Sequence, residues 1–218
     1  MRASLSRRRF IKGIIASGVA SSTATGLPAS AYAEKRAKGS VERLISLDVN
    51  GRTRRVDVLP QETLAHTLRH KLGLTGTKVS CNRGECGTCT VLIDDVTHYA
   101  CSLLTHNVKG AAITTVEGLQ SADGSLHAVQ QAFIDELAPQ CGFCTPGQIM
   151  AAVGLLKANP RPSLEEARLG MAGNLCRCGA YDHYLRAVMR ASGQNVASSS
   201  LQVGARTFDP TSAAEVLS

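Results

Sequence analysis

Polar and apolar side chains alternate over residues 44–49 and again over 55–58, the two-residue period of half-buried strands. Between them, Asn50-Gly51 is the dipeptide favoured by a type I′ hairpin turn. Pro60 ends the second strand. From Thr63 the leucines 64, 68 and 72 recur at a spacing of four, marking one face of a helix that Gly73 closes. Further apolar runs at 91–93 and 99–104, around Asp94-Asp95, predict a strand pair, and 112–116 predicts a last strand. Two strands, a helix, a glycine-rich loop and then more strands is the order of a β-grasp domain, spanning about residues 41–117.

The period lengthens beyond residue 118. From Asp123, Leu126, Val129, Phe133 and Leu137 lie on one helical face until Pro139. Ile149, Met150, Val153, Leu155 and Leu156 carry a second helix to about residue 158, with Pro146 suited to its first turn. Ser163 followed by Glu166 is a capping-box pattern opening a short helix through Leu169. A last helix is expected over about 182–190. The expected fold class is therefore α+β: a β-grasp domain followed by a small four-helix domain over residues 118–192. Residues 193–218, rich in Ser and Ala without a periodic face, read as a C-terminal tail, disordered or laid along a partner.

Composition changes this picture at one place. The chain has 218 residues, 44% hydrophobic but only 4% aromatic and with no Trp, so its cores must rest on aliphatic side chains. The formal net charge of +7 would suit a nucleic-acid partner. Its location argues otherwise, because Arg2, Arg7, Arg8, Arg9 and Lys12 precede any acidic residue, and the chain beyond residue 33 is near balance, about +2. The segment Ser6-Arg7-Arg8-Arg9-Phe10-Ile11-Lys12, the weakly apolar run from Gly13 and the closing Ala31-Tyr32-Ala33 have the three parts of a secretory signal. It resembles a twin-arginine export signal, with Arg7 and Arg8 as the pair and Ile11 in place of the usual Leu. A signal peptide over 1–33, a linker over 34–40 and a periplasmic destination reached in the folded state are the expectation. No run approaches the ~18–20 apolar residues that span a bilayer, so no transmembrane segment is expected.

The chemistry lies in eight cysteines that fall into two local sets. Cys81, Cys86, Cys89 and Cys101 follow C-x₄-C-x₂-C…C, the spacing of plant-type [2Fe–2S] ferredoxins. Three thiolates from one short loop must converge while backbone N–H groups point at sulfur, and Gly84 and Gly87 permit that approach. Cys141, Cys144, Cys176 and Cys178 form a CxxC plus CxC set in the helical half. A disulfide scaffold and a zinc site are the competing readings. Cys176 and Cys178 are too close to bridge each other without severe strain, and eight cysteines are few for a disulfide-built chain of this length. The six histidines form no convincing ligand set, and although His66 and His70 sit four apart on the first helix, neither lies within a cysteine motif. Arg177, between two thiols, is either a charge offset or a surface arginine; Asn174 either orients the loop or does not.

Gln140-Cys141-Gly142-Phe143-Cys144-Thr145-Pro146-Gly147, answered by Asn174-Leu175-Cys176-Arg177-Cys178 and preceded by the ferredoxin-type loop, resembles the small iron–sulfur subunit of the xanthine oxidase (molybdenum hydroxylase) family. With the leader, the likeness runs to the iron–sulfur subunits of periplasmic aldehyde oxidases. It covers roughly residues 42–192 and all eight cysteines, and departs at Asp94-Asp95, where the family commonly has Asp-Gly. The resemblance implies two [2Fe–2S] clusters held by the eight cysteines and no catalytic residue on this chain. It further implies a large subunit bearing molybdopterin, with Gln140 and Cys178 touching the pterin. The helical-domain cluster would lie nearest the pterin, and electrons would leave through the ferredoxin-type cluster to FAD on a medium subunit or to a cytochrome. The activity implied is that of an electron-transfer subunit of an aldehyde oxidase or dehydrogenase. The alternatives are an N-heterocycle oxidoreductase subunit and a free two-cluster electron carrier.

Overall fold

The computed structural model describes residue 41 and residues 43–196. The expected leader over 1–33, the linker over 34–40 and the tail beyond 196 lie outside the described residues.

Strands β1 (Arg43–Val49) and β2 (Arg52–Val58) form the expected hairpin, in register from Arg43 opposite Val58 to Val49 opposite Arg52. Asn50 and Gly51 both take positive φ, 55° and 67°, as a type I′ turn requires. A helical turn α1 (Leu64–His66) follows, capped by the Thr63 hydroxyl, and widens into a π-helical turn over Thr67–Lys71. The widening differs from the regular helix expected from the leucine spacing. It coincides with Thr67, whose hydroxyl is buried against Glu62 and Thr105.

After the cysteine loop come β3 (Thr90–Ile93), β4 (Val96–Tyr99) and β5 (Ala112–Thr114). The five strands form one sheet in the order β2-β1-β5-β3-β4, with β1 and β5 parallel and the other pairs antiparallel. This is the β-grasp arrangement. Asp94 and Asp95 both adopt positive φ, 48° and 68°, so the tight turn forms with Asp where glycine is common. The strand expected at 99–104 is not there. β4 ends at Tyr99, and residues Ala100–Ser102 make a 3₁₀ turn. That turn aims Cys101 inward, where its N–H faces Cys89 Sγ at 3.4 Å and its sulfur receives the N–H of Gly84 at 3.3 Å.

The helical half contributes α2 (Ala128–Asp135), α3 (Thr145–Ala158), α4 (Leu164–Met171) and α5 (Tyr181–Ala191). Ser163 and Glu166 form the reciprocal cap expected of them. The first helix starts later than its apolar spacing suggested. Asp123 instead caps a turn, accepting from the Ser125 N–H and hydroxyl, while His127 Nδ1 accepts from Val129 N–H and starts the helix. Leu126 and Leu137 are consequently exposed rather than part of its buried face.

β3 is the hinge of the packing. All four of its residues are buried: Val91 and Ile93 join Leu47, Val56, Leu64 and Leu68 in one core, while Leu92 joins Phe133, Met150, Val153 and Val188 in the other. An unbroken apolar run is what a strand covered on both faces needs. α3 approaches β3 and β4 through Gly154, whose added Cβ would lie 2.4 Å from Thr97 Cγ2 and 3.0 Å from Leu92 Cδ2.

Candidate iron–sulfur centres

The ferredoxin-type loop carries Cys81, Cys86 and Cys89, and the 3₁₀ turn after β4 brings Cys101 to Cys89. Asn82, Gly84 and Gly87 take positive φ (52°, 77° and 67°), folding the backbone so that N–H groups turn toward sulfur. N–H donation from Arg83, Glu85 and Cys86 brings the Cys81 thiol down to about 6. Burial pushes Cys89 up to about 12, with the neighbouring Cys101 and Cys86 adding to it. Hydroxyls complete the shell, Thr88 Oγ1 at 3.3 Å from Cys86 Sγ and Ser102 Oγ at 3.6 Å from Cys101 Sγ.

The second set is assembled by the start of α3 and the loop before α5. Cys144 and Cys176 are buried, whereas Cys141 and Cys178 are exposed. Gly142 and Gly179 take positive φ beside them. Burial raises the Cys144 thiol. It also opposes ionisation of Cys176, but N–H donation from Ala180 and Cys178 and the adjacent Cys144 thiol hold that group below its ordinary value. Cys178 receives the N–H of Cys141, which lowers its pKa, yet the Cys141 thiol beside it leaves the balance raised.

Within each set the thiols act on one another's ionisation, most directly two by two. Cys81 interacts with Cys86 and Cys89 with Cys101; Cys144 interacts with Cys176 and Cys141 with Cys178. Four thiols so coupled fit a binuclear cluster, in which four thiolates serve two irons. The histidines stay apart from this chemistry. His66 stacks obliquely on His70, with ring centroids 4.7 Å apart, and its Nδ1 lies 3.4 Å from Glu62.

The two sets are neighbours. The N–H of Leu175 donates to the carbonyl of Cys86 at 3.0 Å, placing Cys176 one residue from a hydrogen bond to the other set. Asn174 is buried and its amide donates to Gly87 O at 2.8 Å and Thr90 Oγ1 at 3.1 Å, while Gln148 Nε2 donates to the Asn174 carbonyl at 2.9 Å. Asn174 therefore orients the loop. A cavity of about 320 Å³ between the sets is lined by Cys86, Cys141, Cys144 and Cys176, with Phe143 and Arg177 among its walls. Gln140 is exposed beside Cys141 and makes no hydrogen bond among the described residues. Arg177 is exposed as well.

Two tyrosines escaped the sequence reading. Tyr181 Oη accepts the Cys176 N–H at 2.9 Å, and Tyr184 Oη lies 3.4 Å from Cys144 Sγ. The signal was available: the chain has four tyrosines, and two of them sit three apart just after the CxC.

A β-grasp domain and a helical domain, each gathering four thiols, define an electron-transfer protein built for two iron–sulfur clusters. Residues 47–112 match the 2Fe-2S iron-sulfur cluster binding domain, and residues 115–189 match the [2Fe-2S] binding domain. The aldehyde oxidoreductase iron-sulfur-binding subunit PaoA of Escherichia coli (strain K12) is 40% identical over 88% of this chain and 90% of its own length. The nicotine 6-hydroxylase small subunit of Paenarthrobacter nicotinovorans is 47% identical over 69% of this chain and 90% of its own. Among solved structures, the aldehyde oxidoreductase from Desulfovibrio desulfuricans superposes with a TM-score of 0.66 at 42% identity, over 69% of this chain and 17% of that one. The chain belongs to the iron–sulfur subunits of the molybdenum hydroxylase (xanthine oxidase) family.

Proposed function

We propose that this chain is the electron-transfer subunit of an exported aldehyde oxidoreductase. It would relay electrons from a molybdopterin centre on a large subunit to FAD or a cytochrome on another. Cys81, Cys86, Cys89 and Cys101 would hold one [2Fe–2S] cluster, and Cys141, Cys144, Cys176 and Cys178 the other. When bound, such clusters accept and release single electrons. The chain's own contribution is to fix the thiols, aim N–H groups at sulfur and hold the two sets adjacent. The observation that carries the reading is the Leu175 N–H to Cys86 carbonyl bond, a short connection between the two sets.

Cys141 and Cys178 are exposed, and so are the large apolar side chains of Phe143, Leu175 and Tyr181 close by. Apolar surface beside an exposed thiol pair calls for a covering partner, which favours a complex over a free carrier. Gln140 and Cys178 lie on that face and are the proposed pterin contacts. The likeness to PaoA extends over 88% of this chain, against 69% for the nicotine hydroxylase's small chain, although identity to the latter is higher, 47% against 40%; the aldehyde reading rests on that coverage. Residues 1–33 are proposed as a twin-arginine signal, delivering a folded and loaded subunit to the periplasm.

The test is iron analysis and low-temperature EPR of the purified complex. About four irons per chain and two distinct [2Fe–2S] signals are expected. Cys178→Ser should delete one signal and leave the other, and an unchanged spectrum refutes the ligand assignment. Replacing Arg7 and Arg8 by lysine should strand the precursor in the cytoplasm, whereas normal export refutes the proposed route.

A further inference from the structure

Tyr184 occupies the first turn of α5 and is almost fully buried, its ring tilted against Phe133 with centroids 5.5 Å apart. A buried phenol hydroxyl needs hydrogen-bond partners. Among the described residues its partners are Cys144 Sγ at 3.4 Å, Thr145 Oγ1 at 3.3 Å and, more weakly, Cys176 Sγ at 3.9 Å. Both sulfurs belong to the same thiol pair.

The direction of donation follows from the groups themselves. A cysteine that serves a metal centre does so as a thiolate, which only accepts. A phenol keeps its proton at neutral pH and has one hydrogen to give. The Thr145 hydroxyl can donate to the phenol oxygen, freeing the tyrosine O–H for sulfur. The result is a relay from the Thr145 hydroxyl through Tyr184 to Cys144.

We infer that Tyr184 is a positioning residue that sets the reduction potential of the helical-domain cluster by donating its hydroxyl to the Cys144 thiolate, with Thr145 orienting it. This rests on the cluster assignment proposed above. Reduction adds one negative charge to the centre, and a donor aimed at a ligand sulfur stabilises the reduced state more than the oxidised one. The hydroxyl therefore raises the potential, making this centre the better electron acceptor. The ferredoxin-type set has its own hydroxyls in Thr88 and Ser102, so the effect of Tyr184 is confined to one cluster.

The test is an EPR-monitored redox titration of the intact complex carrying Tyr184→Phe, which removes one oxygen and keeps the ring against Phe133. The equilibrium for reducing the helical-domain cluster should fall about three- to tenfold, a tenfold change being about 59 mV for a one-electron couple. The second signal should stay at its wild-type potential. Thr145→Val should shift the same signal in the same direction by less, and it carries the test if Tyr184→Phe fails to load. Two intact signals of which neither moves, or an upward shift, overturn the role of Tyr184 while leaving the cluster assignment standing. A wild-type complex with only one signal overturns the assignment itself.

Discussion

The side-chain amide of Asn174 donates to the carbonyl of Gly87 at 2.8 Å, joining positions 87 residues apart in sequence. One residue belongs to the ferredoxin-type loop and the other opens the CxC segment, so this bond ties the two thiol sets together. Asn174→Leu should remove one of the donors to the Gly87 carbonyl, which keeps those of Thr90, and the donor to the Thr90 hydroxyl, costing about 0.5–1.5 kcal/mol per bond lost. Denaturant unfolding of the variant checks the loss, and iron retention in both domains should fall with it.

Gly147 stands at the same contact from the other side. A Cβ there would lie 2.5 Å from Gly87 O and 2.8 Å from Thr88 O, both backbone atoms that cannot swing away. Alanine would gain about 1 kcal/mol of helix propensity, but overpacking against fixed carbonyls costs about 1–3 kcal/mol or more. Gly147→Ala should therefore destabilise the protein, and by more than Gly154→Ala, whose nearest obstacle is the side chain of Thr97. Thermal unfolding of the two variants side by side tests the order.

The ferredoxin-type thiols should differ in reactivity once iron is removed. Cys81, brought down to about 6, is mostly thiolate at pH 7, whereas buried Cys89, at about 12, stays protonated. Alkylation followed by peptide mass mapping should label Cys81 well before Cys89. The Cys81 rate should drop as pH falls below about 6. Equal labelling of the two would contradict the loop geometry.

Glu62 gives the fold a pH dependence. Burial opposes its ionisation, but the Lys71 ammonium at 2.8 Å and the Thr67 hydroxyl at 2.6 Å outweigh it and lower its pKa. A carboxylate with a depressed folded value contributes stability above its unfolded value of about 4.3 and loses it as pH falls through the folded value. Wild type should therefore be more stable than Glu62→Gln at pH 7, and the gap should close under acid. Melting temperatures of both proteins between pH 7 and pH 3 read this out.

Much of the fold was written in short-range pattern. The alternation over 44–58 and Asn50-Gly51 yield the hairpin, Ser163 and Glu166 start α4, and the spacing of the eight cysteines separates them into the two sets that the structure gathers. These signals are local because a turn, a cap or a strand period is decided by residues a few positions apart. Where tertiary contacts competed, the pattern misled. The apolar run at 99–104 bends because Cys101 must reach Cys89, and the leucine-spaced helix widens where Thr67 meets Glu62 and Thr105.

By itself the sequence determined which residues carry the chemistry and how they divide into two sets. Only the tertiary structure decided that Cys86 and Leu175 share a hydrogen bond and that the Tyr184 hydroxyl reaches Cys144. Each of those contacts joins positions far apart in the chain. They exist because β3 is buried between two cores and glycines at 87 and 147 let the domains approach to backbone contact, a proximity that no local spacing encodes.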